Sequence, residues 1–191
     1  MARSRKIPPS LDATLFATPE QKVLRLLLSE PTTSFSIRMI SSRLKGIRGL
    51  GGVDGLMKIL KDLEALGVVD FVDNQRAVRL ADDKHPMVTL LKTLVALCDL
   101  EGLRSQLGPL STKVILHGSR ANGTNRTDSD YNLLVVSNSP DEVKRIASGH
   151  PLGKLIEVKT FTPDAFGSLE KQDPKLANRV TRGIVVWGSN W

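Results

Sequence analysis

Aromatic residues are scarce in this chain: five Phe, two Trp and a single Tyr among 191 residues, or 4%. A binding surface built from stacked rings is therefore not expected. One cysteine, Cys98, rules out an internal disulfide, and three histidines at unrelated positions (His85, His117, His150) with no accompanying Cys cluster give no structural zinc site. Cys98 itself reads as a small buried hydrophobe on a helix. No apolar run approaches the roughly 20 residues that a bilayer span requires. The basic stretch Met1–Pro9 is followed by no apolar core of the kind that marks a secretion signal. Repeats and low-complexity segments are also missing, and a cytoplasmic protein with no membrane partner is expected.

What is present is an ordinary globular balance, 40% hydrophobic and 25% charged. The length allows one ordinary domain or two small ones. The net charge of +7 makes nucleic acid or another anion a plausible partner. It does not say which half meets that partner: residues 1–84 hold 14 Lys and Arg against 10 Asp and Glu, and the rest holds 13 against 10.

Along the chain, Arg3, Arg5, Lys6 and the Pro8-Pro9 pair read as part of a flexible basic arm, assigned to residues 1–13. Thr18-Pro19-Glu20 is a helix start, combining a capping hydroxyl, a first-turn proline and an acid against the helix dipole. Val23, Leu24, Leu27 and Leu28 follow as one apolar stripe, and Pro31 ends it. Ile37, Ile40 and Leu44 mark a short second helix, broken by "KGIRGLGG". A third helix is expected from about Val53 to Leu66, with Val53, Leu56, Leu60, Leu63 and Leu66 on one face and Gly67 closing it. "VVDFVDNQRAVRL" alternates apolar and polar residues around Asp73-Asn74, the pattern of a β-hairpin.

Three helices, the last ending in "LEALGVVDFV", and then a two-stranded ribbon resemble a winged helix-turn-helix domain, assigned to residues 14–84. The resemblance implies DNA contacts from Lys58 and Lys61 on the third helix, Arg48 in the loop before it, and Arg76 and Arg79 on the wing. Winged helices also serve as protein-binding and dimerisation modules, so a homodimer is a further expectation. His85–Leu107 is strongly helical and is read as a linker helix, within residues 85–108. Thereafter "KVILHG", "YNLLVV", "KLIEVKTFT" and "IVVWG" are short strand candidates separated by helices, an α+β arrangement over residues 109–191.

Chemistry concentrates in "HGSRANGTNRTDSDYNLLVV". Gly118-Ser119 follows an apolar strand, where a glycine lets the backbone approach a phosphate and a serine hydroxyl can meet its oxygens. Asp130 and Asn132 are two apart on a strand candidate, so their side chains share a face. Two carboxylates so placed could hold divalent cations that bridge a triphosphate. Glu157, acidic within the apolar "LIEVKTFTP", is a good candidate for the third carboxylate such a site needs from another strand; the alternative is an exposed edge position or a structural ion pair. His117 reads as a strand-end residue.

At this point the chain resembles the DNA-polymerase-β-like nucleotidyltransferase superfamily, in particular the minimal nucleotidyltransferases, whose "GSRARG…SDIDL" is matched by "GSRANG…SDYNL". The likeness spans about residues 110–190. It implies a mixed sheet with flanking helices, Mg²⁺ (or Mn²⁺) as cofactor and a nucleoside triphosphate as substrate or ligand. Gly118, Ser119 and Arg120 would hold the nucleotide. Asp130 and Glu157 would be the catalytic acids, and Asp130, Asn132 and Glu157 the metal ligands.

Asn132 departs from that pattern, standing where the family has its second aspartate. An amide oxygen lacks the negative charge that Mg²⁺ prefers. Asp128 could pair with Asp130 instead if the strand starts early, at the cost of moving the site about 6.6 Å. Arg126 and Asn122 line the same loop, and Arg120 or Arg126 could reach a phosphate. Three readings follow: a metal-dependent nucleotidyltransferase joined to a DNA-binding domain; a transcriptional regulator whose degenerate second domain only senses nucleotide; and an antitoxin-like protein that binds a protein partner.

Overall fold

The computed structural model describes residues 10–81 and 85–188. Arg3, Arg5 and Lys6 of the expected basic arm lie outside them. The chain is mixed α and β, with two sheets.

The front half holds α1 (Leu11–Leu15), α2 (Pro19–Ser29), β1 (Phe35–Ser36), α3 (Ile37–Arg43), α4 (Gly52–Ala65), β2 (Val69–Val72) and β3 (Ala77–Leu80). α2 starts as its sequence dictates: the Thr18 hydroxyl accepts from the Gln21 N–H, and the Gln21 side chain accepts from the Thr18 N–H. α1 and β1 carry too few residues to leave a periodic signal, and sequence reasoning missed both. β1 pairs with β3, giving an antiparallel order β1-β3-β2.

On α4 the expected apolar face is only partly buried. Leu56, Ile59, Leu60 and Leu63 are enclosed, whereas Val53 is 55% and Leu66 68% exposed. At 100° per residue the two lie about 70° to either side of the centre of the buried arc, and both sit at helix ends beyond the core.

Residues 85–107 do not form the single helix expected. α5 (Pro86–Asp99) and α6 (Glu101–Leu107) are separated at Leu100, whose N–H turns back to the Leu97 carbonyl at 3.3 Å. The bend redirects Leu103 and Leu107 into the second core. α5 is apolar on more than one side. Val88, Val95 and Cys98 pack into the front core with Val23, Leu27 and Leu60, and Ala96 packs into the back core. It belongs to both halves rather than merely linking them.

The back half holds β4 (Lys113–His117), α7 (Ser119–Asn122), β5 (Tyr131–Val136), α8 (Pro140–Gly149), β6 (Ile156–Phe161), α9 (Pro163–Gly167), α10 (Leu169–Gln172), α11 (Pro174–Thr181) and β7 (Ile184–Trp187). The sheet order is β6-β5-β4-β7, with β5 and β6 parallel and the other pairs antiparallel. Strand alternation divides its residues between two cores. Leu116, Leu133 and Val135 meet Leu103, Leu107 and Val143 on one face; Ile115, Leu134 and Val136 meet Leu169, Leu176 and Val180 on the other. Among the described residues no helix is long and apolar enough to cross a membrane.

A polar chain ties the halves together. Arg25 on α2 pairs with Asp12 at 2.6 Å and with Asp99 at the end of α5, and Asp99 accepts a 2.6 Å hydrogen bond from the Tyr131 hydroxyl. Burial first, then the adjoining Asp99 carboxylate, raise the Tyr131 pKa far above its ordinary value, so the hydroxyl remains a donor. The Leu11 N–H donates to Glu101 at 2.9 Å, and the Thr32 and Thr127 hydroxyls meet at 2.9 Å.

Removing Asp99 would leave a guanidinium and a phenol without their shared acceptor. Asp99→Ala is expected to destabilise the fold by about 2–3 kcal/mol, with Asp99→Asn retaining part of that. Urea denaturation checks this; a loss under about 0.5 kcal/mol would mean that solvent screens the pair.

Candidate functional site

β4 delivers His117 to one end of the sheet, and the chain leaves it through Gly118 at φ 78, ψ −155, a conformation that a side chain resists. A Cβ at Gly118 would lie 3.6 Å from Asn132 Nδ2 and 3.9 Å from its Cγ, so the Gly118 backbone rests against the Asn132 side chain. The one-turn α7 follows and stops at Gly123, φ 68. A Cβ there would fall 2.0 Å from the Thr89 carbonyl oxygen on α5. The Thr93 hydroxyl, also on α5, lies 3.3 Å from the Ala121 carbonyl oxygen. The loop after β4 is thus pressed onto α5 from beneath.

Across the sheet, Asn132 is the register partner of His117 on one side and of Glu157 on the other. Register partners point to the same face, with neighbouring strands about 4.8 Å apart. His117, Asn132 and Glu157 therefore form a row on the face that carries α10 and α11. Asp130 immediately precedes β5 with the same parity as Asn132 and is exposed. It stands diagonal to Glu157, a relation that typically spans about 7–8 Å. Gly118, Asn132 and Glu157, with Asp130 beside them, are thus gathered at one end of one face, and Ser119 follows directly in the loop. Glu157 is exposed on the edge strand β6, which answers the question its sequence left open: no buried charge is involved.

Three expectations change. Arg120 does not face this row. Its guanidinium is buried, donates from Nε and Nη2 to the Ser129 carbonyl at 2.9 and 2.7 Å, and stacks 3.8 Å from the centre of the Tyr131 ring, on the opposite face from Asn132. Its Nε and Nη2 hold the loop and its guanidinium is buried against Tyr131, a structural role away from the Asn132 row. Asp128 lies in a turn, and β5 begins only at Tyr131, so the early strand that would pair Asp128 with Asp130 does not form. His117 is more than a strand-end residue: it is 4% exposed, and both ring nitrogens are enclosed without a hydrogen-bond partner. Burial, then Arg179 and Lys159, lower its pKa against the opposing pull of Glu157, which favours the neutral ring.

Sequence reasoning passed over Lys159 and Arg179. Lys159 could have been found, since it is two residues beyond Glu157 and must share its face. Arg179, on α11, leaves no sequence signal of its proximity.

In the front half, Arg48, Lys58, Lys61, Arg76 and Arg79 are all exposed. Lys58 and Lys61 are neighbours on α4 by their spacing. Arg79 is partly committed, lying 3.7 Å from Asp70, its partner on β2.

With this geometry in hand, comparison with known proteins narrows the class. The model of the nucleotidyltransferase domain family matches residues 97–176. The match supports a nucleotidyltransferase-type domain in that part of the chain. It runs from the last turn of α5 into α11 and takes in the whole Gly118-to-Glu157 row. No curated protein and no solved structure matches the chain.

Nucleotidyltransferase domains generally use divalent metals and nucleoside triphosphates. Here the available donors are two exposed carboxylates and one amide, and among the described residues no group of three or more His, Cys, Asp or Glu is placed to hold a metal ion. Two dications need more anionic oxygen than that. The residues present do not fit a two-metal centre.

The reassignment of Arg120 is testable by stability. Arg120→Ala is expected to lower unfolding free energy by about 2–3 kcal/mol, from two charge-assisted hydrogen bonds and a ring contact, with Arg120→Lys only partly restoring it. Unchanged denaturation with lost nucleotide affinity would return Arg120 to the binding site.

Proposed function

We propose that the back domain binds a nucleoside triphosphate at the Gly118-Ser119 turn and turns it over poorly, and that the front domain binds DNA, so that the chain acts as a nucleotide-responsive DNA-binding protein. One observation carries the reading: the central position of the site, flanked in register by His117 and Glu157, is the amide Asn132. The family match supports nucleotide chemistry in this segment, and the amide removes the carboxylate on which transfer leans.

The element order α2-β1-α3-α4-β2-β3, with β1 on β3, supports a winged helix in front, and Lys58 and Lys61 project from the helix that would approach DNA. The shared helix α5 and the Asp99 bridge give the two halves a physical connection.

The acids at 130 and 157 on the Asn132 face favour a second reading, that of a working transferase with a hydroxyl acceptor. The two separate in one assay. The protein is incubated with labelled ATP, CTP, GTP or UTP and Mg²⁺ or Mn²⁺, beside Asn132→Asp and Asp130→Ala. Wild-type transfer is expected to be about 10²–10³-fold below that of Asn132→Asp, the scale on which lost electrostatic stabilisation slows such steps. Wild-type labelling that equals Asn132→Asp and vanishes in Asp130→Ala would establish the transferase instead.

For the front half, gel shifts on duplex fragments at fixed salt should show retention by wild type. Lys58→Ala and Lys61→Ala should each weaken it, lowering the salt slope by about one. No retention of any fragment at 50 mM salt would end the DNA-binding part of the proposal.

A further inference from the structure

A carboxylate at position 132 would repel a phosphate unless a cation stood between them. An amide does not: it carries no charge and offers two N–H donors that can meet phosphate oxygens directly. The surroundings of Asn132 complete that change. His117 is its partner on β4. Lys159 lies two residues beyond Glu157 on β6 and so projects from the same face. α11 covers that face through Leu176 and Val180, and its Arg179 is near enough for its charge to act on His117.

Resting on the nucleotide-site reading, we propose that His117, Asn132, Lys159 and Arg179 form a polyphosphate subsite. There the ligand's phosphates are held by protein cations and N–H donors, and binding requires no divalent metal.

The independent pointer to a ligand is His117. It is enclosed, and neither ring nitrogen has a partner. An orphaned buried donor is rare in folded proteins and destabilising. A phosphate oxygen supplies the missing acceptor for the imidazole N–H. Of the charged groups whose field reaches His117, two are cations, Arg179 and Lys159, and one is an anion, Glu157. Beside the imidazole, that balance is more favourable to an anion than a carboxylate at position 132 would leave it. Both cations are on exposed side chains, which can reorient toward a phosphate. The two acids and two cations around Asn132 leave this end of the face near neutrality, where a third carboxylate would have made it a cation trap.

The test measures ATP and inorganic tripolyphosphate binding by calorimetry to the full chain, in Mg²⁺ and in EDTA. It is repeated with Arg179→Ala and with His117→Phe, the latter conserving bulk. The expected result is that ATP in EDTA binds within about threefold of its affinity in Mg²⁺ and that tripolyphosphate also binds. Each substitution should weaken both ligands about 10-fold in EDTA, the scale of one charge-assisted hydrogen bond. Arg179 is exposed, so its variant keeps the test decisive should His117→Phe fold poorly. Binding in Mg²⁺ that EDTA abolishes would overturn the metal-free subsite and leave the nucleotide site standing. Unchanged affinity in Arg179→Ala with ATP still bound in EDTA would overturn the named residues. Absence of binding in either buffer would remove the nucleotide reading and this inference with it.

Discussion

The burial of α5 on more than one side is the constraint from which the rest of the architecture follows. A helix with a single apolar stripe can serve one core and show solvent its other side. α5 gives Val88, Val95 and Cys98 to the front core and Ala96 to the back core, and Thr89 and Thr93 receive the turn after β4. The hydrophobic term alone, about 1.5–3 kcal/mol for each fully buried aliphatic side chain, makes separation of α5 from either side costly. The Arg25–Asp99–Tyr131 bridge then fixes the angle between the halves, which apolar packing alone would leave loosely specified.

The same scaffold positions the site. Tyr131 stands between Asp130 and Asn132 and alternates away from them, so the residue that reaches back to Asp99 and carries Arg120 over its ring also fixes the strand that presents the row. A change of tilt in α2 or α5 therefore has a short route to Asn132: one ion pair, one hydrogen bond and one peptide unit. Affinity changes transmitted in this way are reciprocal, so whatever occupied the front half would be felt behind it and the reverse.

Much of this was legible in the sequence, and the failures have physical causes. Thr18-Pro19-Glu20 announced α2 because capping and proline preferences are local; β4 and β5 were legible because buried strands are runs of branched aliphatics, and β6 because apolar and polar residues alternate along it. α1 and β1 were not, since two to five residues hold no period. The break at Leu100 was hidden because leucine is an excellent helix former and only the demand of a second core bends the chain there. At the site, the shared face of Asp130 and Asn132 followed from spacing, while the grouping of Gly118, Ser119 and Glu157 with them was what the family resemblance implied. Arg120 was misread because spacing gives proximity in sequence without saying which face a long side chain chooses. His117 was underrated for the opposite reason: its meaning lies in what it fails to touch, and absence of a partner is a property of the folded state alone.

Gly123 has a consequence of its own. Its α-carbon sits where any larger residue would strike the Thr89 carbonyl, so the two backbones are matched like a key bit to its ward. A chimera that keeps α5 with the back half retains this contact, whereas one that imports α5 with a foreign front module must offer an equally open backbone at the place of Thr89. For engineering, the seam therefore falls before α5 rather than within it, and an imported front module must match the face of α5 that carries Val88, Val95 and Cys98.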